Sequence, residues 1–434
     1  MKRRNGFTLI ELLAIIVILA IIAVITVPII LNIIEDAKKG SITDSAYGYK
    51  NAIKSYSAYL QTVDSTSNGL KGSYTVDELK SLGLEVTGQE PDSGTILIDN
   101  DGVSGCLKYD EYASYMYNNE VINTSKGNCP TQKLVTEGDG LYKSTTEPGR
   151  LIYRGQTPNN RIFLKEDGTN NTLYRIVSYE TDGTIKVVRD EKIGDIAWDE
   201  ANARNSTDNT YCTSPAYGCN IWGNGSNTLF NGASLGSSFH YSYYASASAT
   251  TLTNGGSGTV ADESTLNKYL NDGSWAPLEY LNSYIENHKF NVGGVYYAQS
   301  YEGGDKGFLK EKEEEKLFTW IGKIGLLNIT EFVESSTNVA CTDVWSTYYS
   351  NSNREGWPCK ESNWNFKSTY NQWTITSSPN IKVYVWYIDK TGFLLAGGTY
   401  MVSTSFGVRP AFYLKSGISL SGTGAENNEY KIVG

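Results

Sequence analysis

Histidine and methionine are scarce in this chain, at 2 and 3 of 434 residues. Only His240 and His288 could supply imidazole, and no C-x-x-C occurs, so no metal site is expected. Basic residues are also in deficit. There are 37 Lys and Arg against 47 Asp and Glu, a net charge of −10 and a pI near 5.0, which does not favour a broad nucleic-acid-binding surface. No phosphate loop is present, since Gly255-Gly256-Ser257-Gly258 has no following Lys-Ser or Lys-Thr. Asp99-Asn100-Asp101-Gly102 lacks the rest of the EF-hand spacing and reads as a hairpin turn. Gly232-Ala233-Ser234-Leu235-Gly236 spells G-x-S-x-G but lies inside an Asn/Ser/Gly stretch, where the strand and helix of a nucleophile elbow have no room. Carboxylates are plentiful, but linear spacing cannot pair two of them across a glycosidic bond. No catalytic residue, metal or cofactor is therefore assigned, and the chain is not expected to be an enzyme. The end of the sequence shows no apolar tail or sortase-type signal, an expectation against wall attachment from that side.

What is abundant points elsewhere. There are 32 tyrosines and 43 glycines, a composition common in exported β-rich domains. Cys106, Cys129, Cys212, Cys219, Cys341 and Cys359 all lie beyond the N-terminal apolar run, on the side where disulfides persist. Proximity favours pairing them in order: Cys106–Cys129, Cys212–Cys219 and Cys341–Cys359.

The N-terminus organises the rest. Lys2-Arg3-Arg4-Asn5-Gly6 precedes a run in which only Thr26 is polar between Leu12 and Leu31. About 20 such residues make roughly 30 Å of helix, enough to cross a bilayer core. The leading basic residues place the N-terminus in the cytoplasm and the remainder outside. The run is longer than the core of a secretory signal, about 7–15 residues, and no A-x-A site ends it. Glu11 does not suit a plain anchor, because a charge at the centre of a membrane helix costs ~2.5–3.5 kcal/mol. It calls for a positive partner in the assembled state. A free α-amino group made by cutting just before Phe7, on a neighbouring copy, would serve.

Gly6-Phe7-Thr8-Leu9-Ile10-Glu11 resembles the processing site of type IV prepilins and pseudopilins. The resemblance implies cleavage between Gly6 and Phe7 by a prepilin peptidase, N-methylation of Phe7, Glu11 as the assembly glutamate, and a bent or melted helix at Pro28. It covers the first 60 or so residues, and more loosely those to Pro130. The implied partners are other pilin or pseudopilin subunits, the peptidase and the membrane. The implied location is the cell membrane before assembly and a surface filament afterwards.

Periodicity extends the helix beyond the apolar run. Ile42, Ala46, Tyr49, Ile53, Tyr56 and Leu60 share one face, a stripe suited to packing on a sheet. Thr75 and Glu78 predict a capping box, with Gly83 ending the helix. Strands are expected at 95–98, 103–109, 112–117 and 120–122. The sequence divides into a leader (1–6), a pilin-like module (7–130, with 7–31 transmembrane and 32–61 its amphipathic continuation), a polar joint (131–139) and a large exported domain (140–434). In that domain strands are expected at 161–164, 172–178, 184–189, 324–333, 373–376, 383–388, 392–395 and 408–414. Helices are expected at 264–270 and 277–287, surface loops at 205–258, and a solvated face at Lys310–Lys316.

Leu173–Val177, Lys186–Glu191, Gly325–Asn328 and Gly407–Leu414 resemble a domain of exported Gram-positive proteins, with a distant similarity to the C-type-lectin-like fold through Gly407-Val408-Arg409-Pro410. The expected class is α+β: a long N-terminal helix on a small antiparallel sheet, then a larger β-rich domain. Trp345, Trp357, Trp364, Trp373 and Trp386 are read mainly as core, with Trp357 and Trp364 as candidates to stack against a glycan. The bulk of the C-terminal domain favours a minor or tip subunit, with adhesion through a glycan or protein ligand as one role. A pseudopilin of a secretion or DNA-uptake machine and, behind it, a tethered surface hydrolase are the alternatives.

Overall fold

The computed structural model describes residues 8–433 apart from 65, 205–208, 213–216, 226, 235–240, 247–248, 255–259, 295–314, 340, 342–357, 379–381 and 397–399. The architecture is α+β. One helix, α1 (Leu9–Val63), runs for 55 residues. Its C-terminal half lies on an antiparallel meander of β1 (Gly72–Thr75), β2 (Ser93–Asp99), β3 (Gly102–Tyr109), β4 (Tyr112–Tyr117) and β5 (Glu120–Lys126). Ile42, Ala46, Tyr49 and Ile53 are buried there, with Tyr56 and Leu60 partly so. They meet Ile96, Val103, Leu107, Tyr109, Tyr112 and Met116 from the sheet. The short helix α2 (Val76–Ser81) carries the Thr75–Glu78 capping box, and Gly83 follows at φ +92°. Asn118 and Asn119 turn β4 into β5 at φ 48° and 77°, which asparagine tolerates better than most residues.

Successive strand residues point to opposite faces, and here both faces are covered. Leu97, Cys106, Ala113 and Tyr115 point away from α1 into the largest core of the molecule. That core belongs mostly to a ten-stranded sheet containing β6 (Gly140–Lys143), β7 (Leu151–Arg154), β8 (Arg161–Lys165), β9 (Asn171–Tyr179) and β10 (Ile185–Arg189). Strand Ala411–Leu414 pairs with β10, and Tyr430–Val433 pairs parallel to β8. A five-stranded sheet, a four-stranded sheet and a two-stranded hairpin complete the described strands, and Trp198, Trp222 and Trp320 meet edge-on in the core.

The polar stretch 131–139 is anchored at this junction by Leu134. Leu134 is completely buried in the shared core, and its N–H donates to Thr95 Oγ1 at 3.3 Å. The carbonyl of Thr181, in the β9–β10 turn, accepts from Asn123 Nδ2 and Ser125 Oγ of β5 at 3.0 Å each.

Several expectations change in three dimensions. The helix over 277–287 stops at Leu281, and Ile285–Glu286 is a strand because Ile285 pairs with Leu414. The strand over 324–333 is only Ile324–Gly325. Asn328 and Glu331 then form a capping box that starts a helix, Ile329–Glu334. Every residue of that helix is buried, so it shows no amphipathic stripe. The strand over 408–414 begins at Ala411, after Pro410, which has no N–H for a ladder. Part of 205–258 is core rather than surface loop: Tyr211, Cys212, Cys219, Ile221 and Trp222 are buried.

Candidate functional site

Among the described residues, none covers the first half of α1. Leu9 to Ile34 are exposed, including every large apolar residue of the run. Length and composition suit a membrane span, and such a surface must be covered by lipid or by other helices. Thr8 caps the helix. Its N–H and hydroxyl donate to Glu11 Oε2 at 2.8 and 2.9 Å, and Glu11 N–H donates back to Thr8 Oγ1 at 3.3 Å. Glu11 is thus partnered locally while remaining exposed. Gly6 and Phe7 lie outside the described residues.

Pro28 does not melt the helix, which is unbroken from Leu9 to Val63. Proline removes one donor, to the carbonyl four residues back. Two residues before it, Thr26 adds a bond of its own, its hydroxyl donating to Ile22 O at 2.8 Å. Further along, Glu35 and Lys39 pair at 3.0 Å one turn apart.

Cys106–Cys129, Cys212–Cys219 and Cys341–Cys359 are disulfides. The first joins β3 to the segment after β5. The Asp99–Gly102 turn holds a lysine. Lys143 Nζ from β6 reaches Asp99 Oδ2 at 2.7 Å, Asp101 Oδ2 at 3.2 Å and Asn118 Oδ1 at 3.0 Å. Asp99 Oδ1 accepts from the N–H groups of Asp101 and Gly102. The two carboxylates of this turn are therefore committed to an internal cation.

Trp364 is not a ligand platform. It is 4% exposed, its Nε1–H donates to Tyr153 O at 2.9 Å, and Arg175 lies over its ring at 5.5 Å. Burial leaves no face for a sugar, so the stacking reading is withdrawn for this residue. Trp373 and Trp386 are buried as well, whereas Trp345 and Trp357 lie outside the described residues. Leu235 and Gly236 of the G-x-S-x-G stretch, and His240 six residues after its serine, also lie outside them. Arg409 of the Gly-Val-Arg-Pro string is a buried peg, donating to Arg189 O at 2.9 Å and Asn365 Oδ1 at 2.6 Å.

Sequence reasoning missed a buried ionic knot. Arg150 Nε donates to Glu180 at 3.0 Å, and its Nη2 donates to Ser178 Oγ and Glu331 Oε1 at 2.9 Å each. Lys186 Nζ bonds the same Glu331 oxygen. Despite burial, Lys186 and Arg150 hold the Glu331 carboxyl below its ordinary pKa. Nearby, Glu334 accepts from Ser144 Oγ at 3.1 Å, and burial raises its pKa. Glu315 overturns the solvated reading at its end of 310–316. It is 1% exposed and accepts from the hydroxyls of Thr330 and Thr376 and, at 3.3 Å, from Ile329 N–H. Burial pushes its pKa up to about 7. The mixed Lys and Glu of that run carried no hint that one carboxyl turns inward.

Residues 1–27 match the family described as prokaryotic N-terminal methylation motif. No curated protein and no solved structure matches the chain. The motif supports a type IV pilin-like or pseudopilin subunit, and implies assembly with other such subunits and a prepilin peptidase. With the exposed apolar helix, it supports membrane anchoring before processing. The match ends at residue 27, so the resemblance seen in the C-terminal domain gains no support from it.

Proposed function

We propose that this chain is a minor or tip subunit of a type IV pilin-like filament or pseudopilus, and that it carries a large extracellular domain to the cell surface. The observation that supports it best is a methylation motif leading directly into an apolar helix that the rest of the described residues leave uncovered. In this reading the peptidase cuts between Gly6 and Phe7 and methylates Phe7. The helix waits in the bilayer, then transfers to the filament core, exchanging lipid for neighbouring helices. Glu11 trades its local bonds to Thr8 for the Phe7 amine of an adjacent subunit, which fixes the axial register.

The C-terminal domain does not perform a reaction in this proposal. It shares a core with the pilin-like sheet, so it travels as one body with α1. Such bulk at every step of a thin fibre would crowd its neighbours, which favours a minor or tip position. The domain's role is adhesion, toward a glycan or protein ligand on another surface, and the producing cell is Gram-positive. A pseudopilin of a secretion or DNA-uptake machine shares the N-terminal features and is the second reading.

The test is the mass of the mature N-terminal peptide from the native host. A peptide that starts at Phe7 and carries one added methyl supports processing in the pilin pathway. A retained Met1, or cleavage beyond the apolar run, overturns the assembly reading.

A further inference from the structure

His288 begins the strand His288–Asn291 and lies against the turn that joins the two parts of the molecule. Its ring stacks on Tyr413, with 3.7 Å between centroids and 19° between planes. Nε2 is 2.8 Å from Asp182 Oδ2, and Nδ1 is 3.1 Å from the carbonyl oxygen of Lys289. A carboxylate and a carbonyl can only accept. A neutral imidazole carries one N–H, so it would leave one of these oxygens facing a lone pair. Only the imidazolium donates to both.

The neighbouring charges agree with this geometry. Burial works against the charged ring, but the carboxylates of Asp182 and then Glu180 outweigh it and hold the His288 pKa above its ordinary value. Lys186, from β10, lies over the same Tyr413 ring at 4.9 Å. On the histidine's own segment are Glu286 and Lys289, and Lys323 follows Gly322, the residue paired with His288.

Asp182 is the link to the pilin-like sheet. Its other oxygen accepts from Thr184 N–H at 3.0 Å and Thr184 Oγ1 at 2.7 Å, which fixes the β9–β10 turn. The preceding residue, Thr181, gives its carbonyl to Asn123 and Ser125 of β5. The following residue, Gly183, lies so close to Gly127 that a Cβ added at Gly127 would stand 2.8 Å from the Gly183 Cα. The turn is seated without slack.

We propose that protonated His288 is a latch: it clamps the β9–β10 turn through Asp182, and the turn seats the C-terminal domain on the β5 edge of the pilin-like sheet. Loss of the proton removes one of the two donated bonds and loosens the seat. The raised pKa gives this the sign of a cation gaining a partner. The stabilisation is complete below the unfolded histidine value of about 6.5 and is lost as pH rises through the folded value.

The test uses the full chain in detergent micelles with ¹⁵N-labelled histidine. Ring-nitrogen shifts give the midpoint of His288, assigned by its absence in H288Q. Hydrogen exchange of 120–127 and 179–185 is measured at about pH 5.5 and about pH 8.5, each normalised to the unfolded chain. The expected result is a midpoint above about 6.5 and a several-fold loss of protection in both segments at the higher pH. H288Q should exchange at the faster rate at both pH values. D182N, which keeps the turn's shape, should lower the midpoint. A midpoint at or below about 6.5, a pH-dependent loss that persists in H288Q, or a midpoint unmoved in D182N each overturns the latch.

Discussion

Glu11 can be separated from the anchor that contains it. In the isolated subunit its carboxylate is held by Thr8 at 2.8–2.9 Å, so it has no need of a second chain to be stable there. Removing the charge relieves the helix of up to ~2.5–3.5 kcal/mol of insertion cost. Glu11→Ala should therefore leave membrane levels unchanged while the sheared filament fraction loses the protein. Equal amounts of variant and wild type in that fraction would sink the registering role. Glu315 is a buried carboxyl. Its folded pKa of about 7 stands above an unfolded value near 4.5. The folded state then binds the proton more tightly, and stability falls as pH rises from about 4.5 through about 7. Glu315→Gln keeps a donor and acceptor in place without the charge. Its melting temperature should exceed that of wild type above pH 7 and approach it near pH 4.5, and a difference constant with pH would refute the buried, proton-binding carboxyl.

Among the elements, β3 is used on both faces. It is covered by α1 on one face and by the C-terminal domain on the other, and Cys106 in its middle is bonded to Cys129 across 23 residues. Closing a loop of that length in the unfolded chain is worth about 3 kcal/mol in the chain-entropy account. Replacing both cysteines by serine should lower the unfolding free energy by about that amount or more, since a polar group is added at buried Cys106 and another at partly buried Cys129. Denaturant titration checks it, and a loss below about 1 kcal/mol would mean the sheet holds itself without the staple. The helix Ile329–Glu334 has a similar lesson. Its capping box is written in the sequence as Asn328 and Glu331, but every residue of it is buried, and the string Ile324–Val333 reads equally well as a strand.

At the scale of the whole molecule the shared core decides the mechanics. Leu134 is fully buried between sheets that the sequence assigns to different modules. Leu134→Ala should cost ~2–5 kcal/mol, the usual range for a buried leucine. The loss should be felt by both parts, as one unfolding transition at lower denaturant seen by tyrosines of either sheet. Two separated transitions, only one of them shifted, would show that the parts fold independently. A rigid junction also bears on assembly, because any tilt of α1 in a filament carries the C-terminal domain with it.

The N-terminal third of this reading was open in the sequence. A basic leader, an apolar run and a lone glutamate are local features, and their physics needs no partner within the chain. The same holds for the α1 stripe, the Thr75–Glu78 cap and the Asn118-Asn119 turn, each set by residues a few positions apart. What only the tertiary structure decided are contacts across long separations. Lys143 fills the Asp99–Asp101 turn, Trp364 lies buried beneath Arg175, Glu315 turns inward to two threonines, and Leu134 closes the joint between modules. Each depends on which faces are desolvated together, and a charge or an indole has the same letter in the sequence whether it meets water or a partner.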